Sequence, residues 1–217
     1  MKGLFKKSLP EPVLGTFEEQ QSRYKKLKWQ VFFSATLGYG LYYVCRLSLN
    51  VVKKPILDGG ILTESELGII GSTLFFTYAA GKFTNGFLAD YSNIRRFMSF
   101  GLLISALVNL IMGFTGTFLF FAICWGVNGW VQSMGAPSSV VSLSRWYKDK
   151  KRGSFYGFWS TSHNIGEALT YILTAVVASY FGWEWGFKAA AIIGMLGAVI
   201  IYLFFHDTPE SKGLPPP

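Results

Sequence analysis

Charge is scarce in this 217-residue chain: Asp, Glu, Lys and Arg make up 15% of it, against roughly 25% in a typical soluble domain. Acidic residues are the scarcer kind, twelve against twenty basic ones, which leaves a formal net charge of +8. Such an excess can suit nucleic acid, but here the basic residues cluster between long apolar runs rather than on one hydrophilic face. No nucleic-acid partner is expected. Cysteine is nearly absent. Cys45 and Cys124 both lie within apolar segments and read as small core residues, so neither a disulfide framework nor a metal site is implied. The polar, basic N-terminus lacks the apolar h-region and cleavage site of a signal peptide. No Walker A loop, nucleophile elbow or metal-ligand cluster occurs, so nothing points to an enzyme or a cofactor.

What the chain has instead is apolar length. Hydrophobic residues make up 51% and aromatics 18%, and about 20 apolar residues suffice to cross a hydrocarbon core ~30 Å thick. Six spans are expected, at about 29–52, 66–90, 97–115, 118–143, 154–179 and 184–205, each bounded by charge or by Gly/Pro punctuation. The fold class is therefore an all-α membrane protein with one six-helix bundle over 29–205. A basic tail, 1–28, precedes it and a linker start, 206–217, follows. The short Thr115-Gly116-Thr117 connection makes spans three and four an antiparallel hairpin.

The basic residues orient the bundle. Fifteen of the twenty lie in the N-terminal tail, the 91–96 loop, the Arg145–Arg152 loop and beyond the sixth span, and only Lys53, Lys54 and Lys188 lie opposite. Both termini are therefore expected in the cytoplasm.

Arg46 and Lys82 remain, inside the first and second spans. A cation at the centre of a membrane helix costs roughly 2.5–3.5 kcal/mol even on the lenient insertion scale. Chains keep one mainly where it snorkels out, is paired, or has a function. Arg46 lies only a turn or two from the outer face, but the Tyr39/Tyr43 face adjoins it. Lys82 is eight residues before Asp90, about 12 Å along a helix, so it either snorkels or flanks a site. His163 is roughly 15 Å inside its span, near the midplane. Together these groups suggest an anion site within the membrane. A phosphate monoester carries close to two charges, and a dry site must replace its hydration with cationic donors. Arginine suits this, since its planar fork binds phosphate bidentately and stays charged. Tyr39, Tyr43 and Tyr78 lie near Arg46 or Lys82 in helical register, whereas Trp130 and Trp159 read equally as belt or core.

The loop after the second span reads Gly86-x-x-x-Asp90, four residues, then Arg95-Arg96. Glycine permits close helix approach, and the carboxylate can meet a helix terminus or a loop arginine, a latch able to hold one conformation. This loop resembles the signature of the major facilitator superfamily. Gly38-Tyr39-Gly40-Leu41-Tyr42-Tyr43-Val44-Cys45-Arg46 and Tyr78-Ala79-Ala80-Gly81-Lys82-Phe83 resemble the first two helices of its organophosphate:phosphate antiporters. Gly129-Trp130-Val131-Gln132-Ser133-Met134-Gly135-Ala136-Pro137 resembles their fourth, and Ser162-His163-Asn164-Ile165-Gly166 their fifth. The loop 56–63 and the exit 207–215 look most like the hexose-phosphate branch, which includes transporters and a sensor.

That resemblance implies a carrier exchanging a sugar phosphate, hexose 6-phosphate in this branch, for inorganic phosphate in a bacterial inner membrane. It implies Arg46 as the phosphate ligand beside a second arginine from a seventh helix, with Lys82, His163, Asn164, Gln132 and the three tyrosines as further contacts. A membrane sensor for external hexose 6-phosphate is the alternative. Six spans are half of a twelve-span carrier, so a second six-helix half is required, and the chain is expected to be a fragment, a split half or a truncated frame. Glu167 departs from the pattern, standing where the family has a small residue, one turn from His163. It either contacts sugar hydroxyls, carries a coupled proton, or holds a cation between turnovers. Leu47 and Ala136 are smaller departures that leave the substrate open.

Overall fold

The computed structural model describes residues 5–217, and their regular structure is helical apart from one antiparallel bridge, Lys6 with Ser92. Lys2, one of the basic residues of the tail, lies outside the described residues. Helix α1 runs Phe17–Asp58, α2 Glu64–Tyr91, α3 Ile94–Met112, α4 Phe118–Gln132 and α5 Gly135–Trp146. There follow α6 Asp149–Ser160, α7 Ser162–Phe181, α8 Trp183–Phe204 and a 3₁₀ turn, Glu210–Lys212.

α1 begins twelve residues before the expected span, so the tail is helical from Phe17. The reason is local: Thr16 accepts from the Glu19 N–H while the Glu19 carboxylate accepts from the Thr16 N–H, a reciprocal cap that satisfies two orphan donors. Thr63 and Glu66 start α2 in the same way.

Two of the expected spans are interrupted. Pro137 has no N–H to offer the Ser133 carbonyl four residues back and its ring crowds that carbonyl, so α4 ends just before it and the chain tightens at Ser133–Met134. The fifth span tightens at Thr161. There three successive hydroxyls bond back to carbonyls three residues earlier: Ser160 to Gly157, Thr161 to Phe158 and Ser162 to Trp159, at 2.6–2.8 Å. Such bonds compete with the regular ladder. Ser133, Met134 and Thr161 all keep right-handed helical dihedrals, so each rod continues through its break. Among the described residues two helices, α3 and α8, are by length and composition apolar enough to cross a membrane. The remaining expected spans are interrupted or carry polar and charged side chains.

α1 is the hub, packing against α3, α4, α5, α6, α7 and α8, while α2 packs against α4 and α5. Two apolar clusters fill the bundle. One gathers Val31, Tyr42, Phe97, Met98, Trp146 and Phe205, and the other Leu49, Val52, Ile56, Met112, Phe121 and Phe187. Where they meet lies a buried polar layer. Asn109 and Asn128 both donate to the Cys45 carbonyl, at 2.8 and 3.2 Å. Ser48 donates to Asn109 at 2.6 Å, and Ser105 donates to Asn128 at 2.6 Å. In an apolar interior such groups are tolerable only when paired, and here each has a partner.

The crossing of α1 and α7 is set by two glycines. A Cβ on Gly166 would meet the backbone of Gly40, and one on Gly40 would come within 3.3 Å of the Ser162 carbonyl. Backbone on both sides leaves nothing that can yield.

At one pole an N-terminal strap (residues 5–15), the α2–α3 loop and the C-terminal segment (residues 205–217) are tied together. Asp207 accepts from the N–H groups of Ser8 and Ile94 at 3.0 and 3.1 Å and from Arg145 at 2.6 Å. His206 beside it is buried, and its pKa is pushed down to about 4 by that burial and by the positive charges of Lys212 and Arg95.

Two predictions follow from packing and burial. Gly166→Val should force α1 and α7 apart and cost about 1–3 kcal/mol, read as a lowered melting temperature in detergent. An unchanged Tm would mean the crossing is loose. Because the folded pKa of His206 lies below its ordinary 6.5, its contribution is complete above 6.5 and is lost as pH falls towards about 4. Parent stability should therefore fall over that window by on the order of 1–3 kcal/mol more than that of His206→Gln. Parallel pH curves would contradict it.

Candidate anion site

Three helices bring the expected cations together around tyrosine rings. Arg46 on α1 lies with its guanidinium carbon 4.2 Å from the centre of the Tyr78 ring on α2 and 5.5 Å from that of Tyr43. Lys82, one turn along α2 from Tyr78, holds its ammonium 5.0 Å from the same ring. His163 packs on Tyr43 at 5.7 Å between ring centres, and Tyr43 meets Tyr39 edge-on at 5.5 Å. Tyr39 in turn lies 4.7 Å from the buried Trp159.

The sequence explains each placement. Tyr39, Tyr43 and Arg46 follow one another at four and three residues, so they share a face of α1. Tyr78 and Lys82 share a face of α2 for the same reason. His163 is the second residue of α7, just beyond the tightening at Thr161, and the Gly40–Gly166 contact presses this part of α7 against the tyrosines. Arg46, Tyr43, Tyr78 and His163 are half-buried, and Lys82 is exposed.

The cations rest on π faces, not on carboxylates. A cation over an aromatic face gains about 0.5–1 kcal/mol when exposed and about 2 when desolvated, and every N–H stays free to donate outward. Among the described residues the ion pairs are Lys54–Asp58, Arg145–Asp207 and Arg152–Asp149, none of them in this cluster. The planar fork, the ammonium and the imidazole all keep exposed surface, and each is a group that can bind an anion.

Glu167 is half-buried one turn along α7 from His163, without an ion pair to it among the described residues. Asn164, its neighbour in the same motif, is exposed. Gln132 lies elsewhere. Its amide is buried in the polar layer, donating to the Tyr42 carbonyl at 2.9 Å and to Ser105 at 2.7 Å, so it anchors α4 to α1 and α3.

The loop latch also takes another form. Asp90 ends α2 with an exposed side chain, and it is its backbone carbonyl that is used, accepting from Arg145 at 2.9 Å. Arg145 reaches the Ser92 carbonyl and Asp207 as well. Arg95 lies over the Tyr202 ring at 4.3 Å, Arg96 is in the first turn of α3, and Gly86 has open space beside it. The carboxylate that ties this pole together is thus Asp207, from the far end of the chain. Sequence spacing signals no such pairing, because 62 residues separate it from Arg145. The Asn109–Asn128 layer was legible only as two asparagines within apolar runs.

The fold is thus an all-α bundle with a buried polar seam and a partly exposed cationic cluster. The chain belongs to the Major Facilitator Superfamily, whose sequence profile matches residues 31–217. It is 38% identical to a "Probable hexose phosphate transport protein" of Chlamydia pneumoniae over 92% of this chain and 44% of that one. It is 34% identical to the "Membrane sensor protein UhpC" of Salmonella typhimurium, over 94% of this chain and 46% of the other. The "Glycerol-3-phosphate transporter" of Haemophilus influenzae is also 34% identical, over 91% and 45%. These relatives make up the organophosphate:phosphate antiporter branch that the motifs resemble. The chain spans about half the length of the curated relatives it matches. In fold it is similar to a bacterial homologue of the lysosomal transporter Spinster, with a TM-score of 0.74 at 18% identity, over 85% of this chain and 44% of that one.

The shared Tyr78 platform yields a test. Tyr78→Phe keeps the ring and should leave inorganic phosphate binding within about twofold. Tyr78→Ala removes the face under both cations and should weaken binding roughly fivefold or more, as read by calorimetric titration. Equal effects of the two would assign the role to the hydroxyl.

Proposed function

We propose that the chain forms the N-terminal, phosphate-binding half of a secondary carrier that exchanges a sugar phosphate, hexose 6-phosphate by its nearest motifs, for inorganic phosphate. In this reading six spans, about 29–205, cross a bacterial inner membrane with both termini in the cytoplasm. A second six-helix half completes the site. The observation that carries the proposal is the convergence of Arg46, Lys82 and His163 on Tyr78 and Tyr43. Family membership and the phosphate-compound names of the relatives support it. The orientation rests on the side bias of lysine and arginine.

In this reading Arg46 binds phosphate oxygens bidentately, Lys82 adds a point charge, and His163 strengthens binding of the dianion when protonated. Tyr39 and Tyr43 offer hydroxyls and ring faces to the sugar. Glu167, one turn along α7 from His163, would contact sugar hydroxyls, carry a coupled proton or hold a cation between turnovers.

The test is counterflow of labelled phosphate in proteoliposomes holding the complete two-half carrier. Arg46→Lys should keep the charge and insertion but lose the fork, lowering exchange about ten- to a hundredfold. Near-parental exchange would return Arg46 to a snorkelling role. A second reading, a membrane sensor for external sugar phosphate, is favoured by the similarity to UhpC. Specific sugar-phosphate binding without counterflow would select it.

A further inference from the structure

The pole where the N-terminal strap meets the C-terminal segment holds a second basic site, separate from Arg46. A cavity of about 510 Å³ opens between the N-terminal strap, the first turn of α3 and the C-terminal segment. Its cations are Lys6, Lys7, Arg95, Arg96 and Lys212, and its carboxylates are Glu11 and Asp207. Five cationic side chains thus face two carboxylates in the lining, and one of the two, Asp207, is already committed to two backbone N–H groups and Arg145.

Two polar nitrogens in the walls have no partner. The Nδ1 of His206, a side chain only 7% exposed, and the Nε of Arg95 are both buried without a hydrogen bond. A buried unpaired donor or acceptor is uncommon in a folded protein and calls for an unseen partner. The local field agrees in sign, since Lys212 and Arg95 both oppose protonation of His206.

The walls are fixed by backbone contacts rather than by the lysine side chains. The Asn93 N–H bonds the Phe5 carbonyl at 2.7 Å, the Glu11 N–H bonds the Glu210 carbonyl at 2.9 Å, and Arg23 bonds the Lys212 carbonyl at 3.1 Å. One side of the cavity leads onto apolar surface: Arg95 covers one face of Tyr202, which with Leu203 is exposed at the end of α8, and Leu9 is exposed on the strap. Cations beside exposed apolar side chains are the composition of a lipid-headgroup site at a membrane face.

We propose that this cavity binds a phosphate-bearing anion, as the headgroup of an acidic phospholipid or as a free phosphate compound. The anion would link the strap, α3 and the C-terminal segment across their shared positive charge. Bound there, it would stabilise the clasp that Asp207 and Arg145 begin.

The test uses the whole chain in two kinds of nanodisc, neutral phosphatidylcholine alone and phosphatidylcholine with added phosphatidylglycerol. Native mass spectrometry counts retained phosphatidylglycerol. Binding of radiolabelled inorganic phosphate is measured in the neutral discs with Arg46→Ala, so that the central site does not contribute. Lys6→Gln/Lys7→Gln/Lys212→Gln should lower retention or binding roughly tenfold or more, and Arg95→Gln should lower it too. Lys148→Gln/Lys150→Gln/Lys151→Gln, which removes three charges from another loop of the same pole, should leave it nearly unchanged. Retained phosphatidylglycerol without phosphate binding assigns a lipid headgroup, and phosphate binding in neutral discs assigns a free phosphate compound. An equal loss in the two triple variants would show diffuse surface charge, and no binding of either anion would show an empty clasp. Either result overturns the proposal.

Discussion

A guanidinium cannot discharge itself, and the half-buried Arg46 makes no ion pair among the described residues. That constraint explains the company it keeps. Burial beside an acid would have produced an ion pair, stable but silent toward an incoming anion. Stacking on Tyr78 and Tyr43 instead lowers the cost of the charge while leaving the N–H groups unspent. Lys82 shares the same ring, so two like charges are held close by one aromatic platform. In the proposed carrier, an anion bound between them would offset their mutual repulsion.

Such a cluster is useful only if its helices keep register, and the polar layer supplies that. The Cys45 carbonyl, one residue from Arg46, takes bonds from Asn109 on α3 and Asn128 on α4, and Gln132 reaches Tyr42 one turn earlier. Sliding α1 along its axis would break all three at once, in surroundings with no water to replace them. The Gly40–Gly166 crossing fixes the other side, where His163 meets Tyr43. The site is therefore held from behind by hydrogen bonds and from the side by backbone contact.

Much of this was legible in the sequence, for identifiable reasons. Apolar runs and their punctuation gave the order of the helices, because burial and hydrocarbon thickness both act on length. Spacing gave the shared faces of Tyr39, Tyr43 and Arg46, and of Tyr78 and Lys82. The breaks at Ser133 and Thr161 were less visible: Pro137 announces one, but the other needs three hydroxyls choosing their own carbonyls. The start of α1 was placed late because hydropathy is blind to a polar helix, whereas Thr16 and Glu19 define its cap. Gln132 shares a motif with the expected pathway residues, and helical rotation turns its amide into the seam. The latch shows the reach of local spacing: it offers Asp90 a helix terminus or a loop arginine, while the tertiary fold delivers Asp207 to Arg145.

The two breaks lie beside the cationic cluster, and this bears on how the proposed exchanger would work. Gly81 on α2, next to Lys82, packs against Ser133 at one break, and His163 follows the other by two residues. A helix tightened at one point has weaker local hydrogen bonding there and bends more readily than a regular one. In the proposed carrier, a cluster of two fixed cations and a titratable imidazole resists passage through a closed state when empty, because closure removes the water that screens it. Phosphate supplies the missing negative charge, so the liganded bundle closes with less desolvation penalty than the empty one. Obligatory exchange follows from that difference alone. In the proposed carrier the Glu167 carboxylate would set the limit of that difference, because a negative group drawn close to the cations would let the unliganded site close and turn exchange into leak. Glu167 lies one turn along α7 from His163 with no ion pair to it among the described residues, an arrangement that would keep such compensation partial.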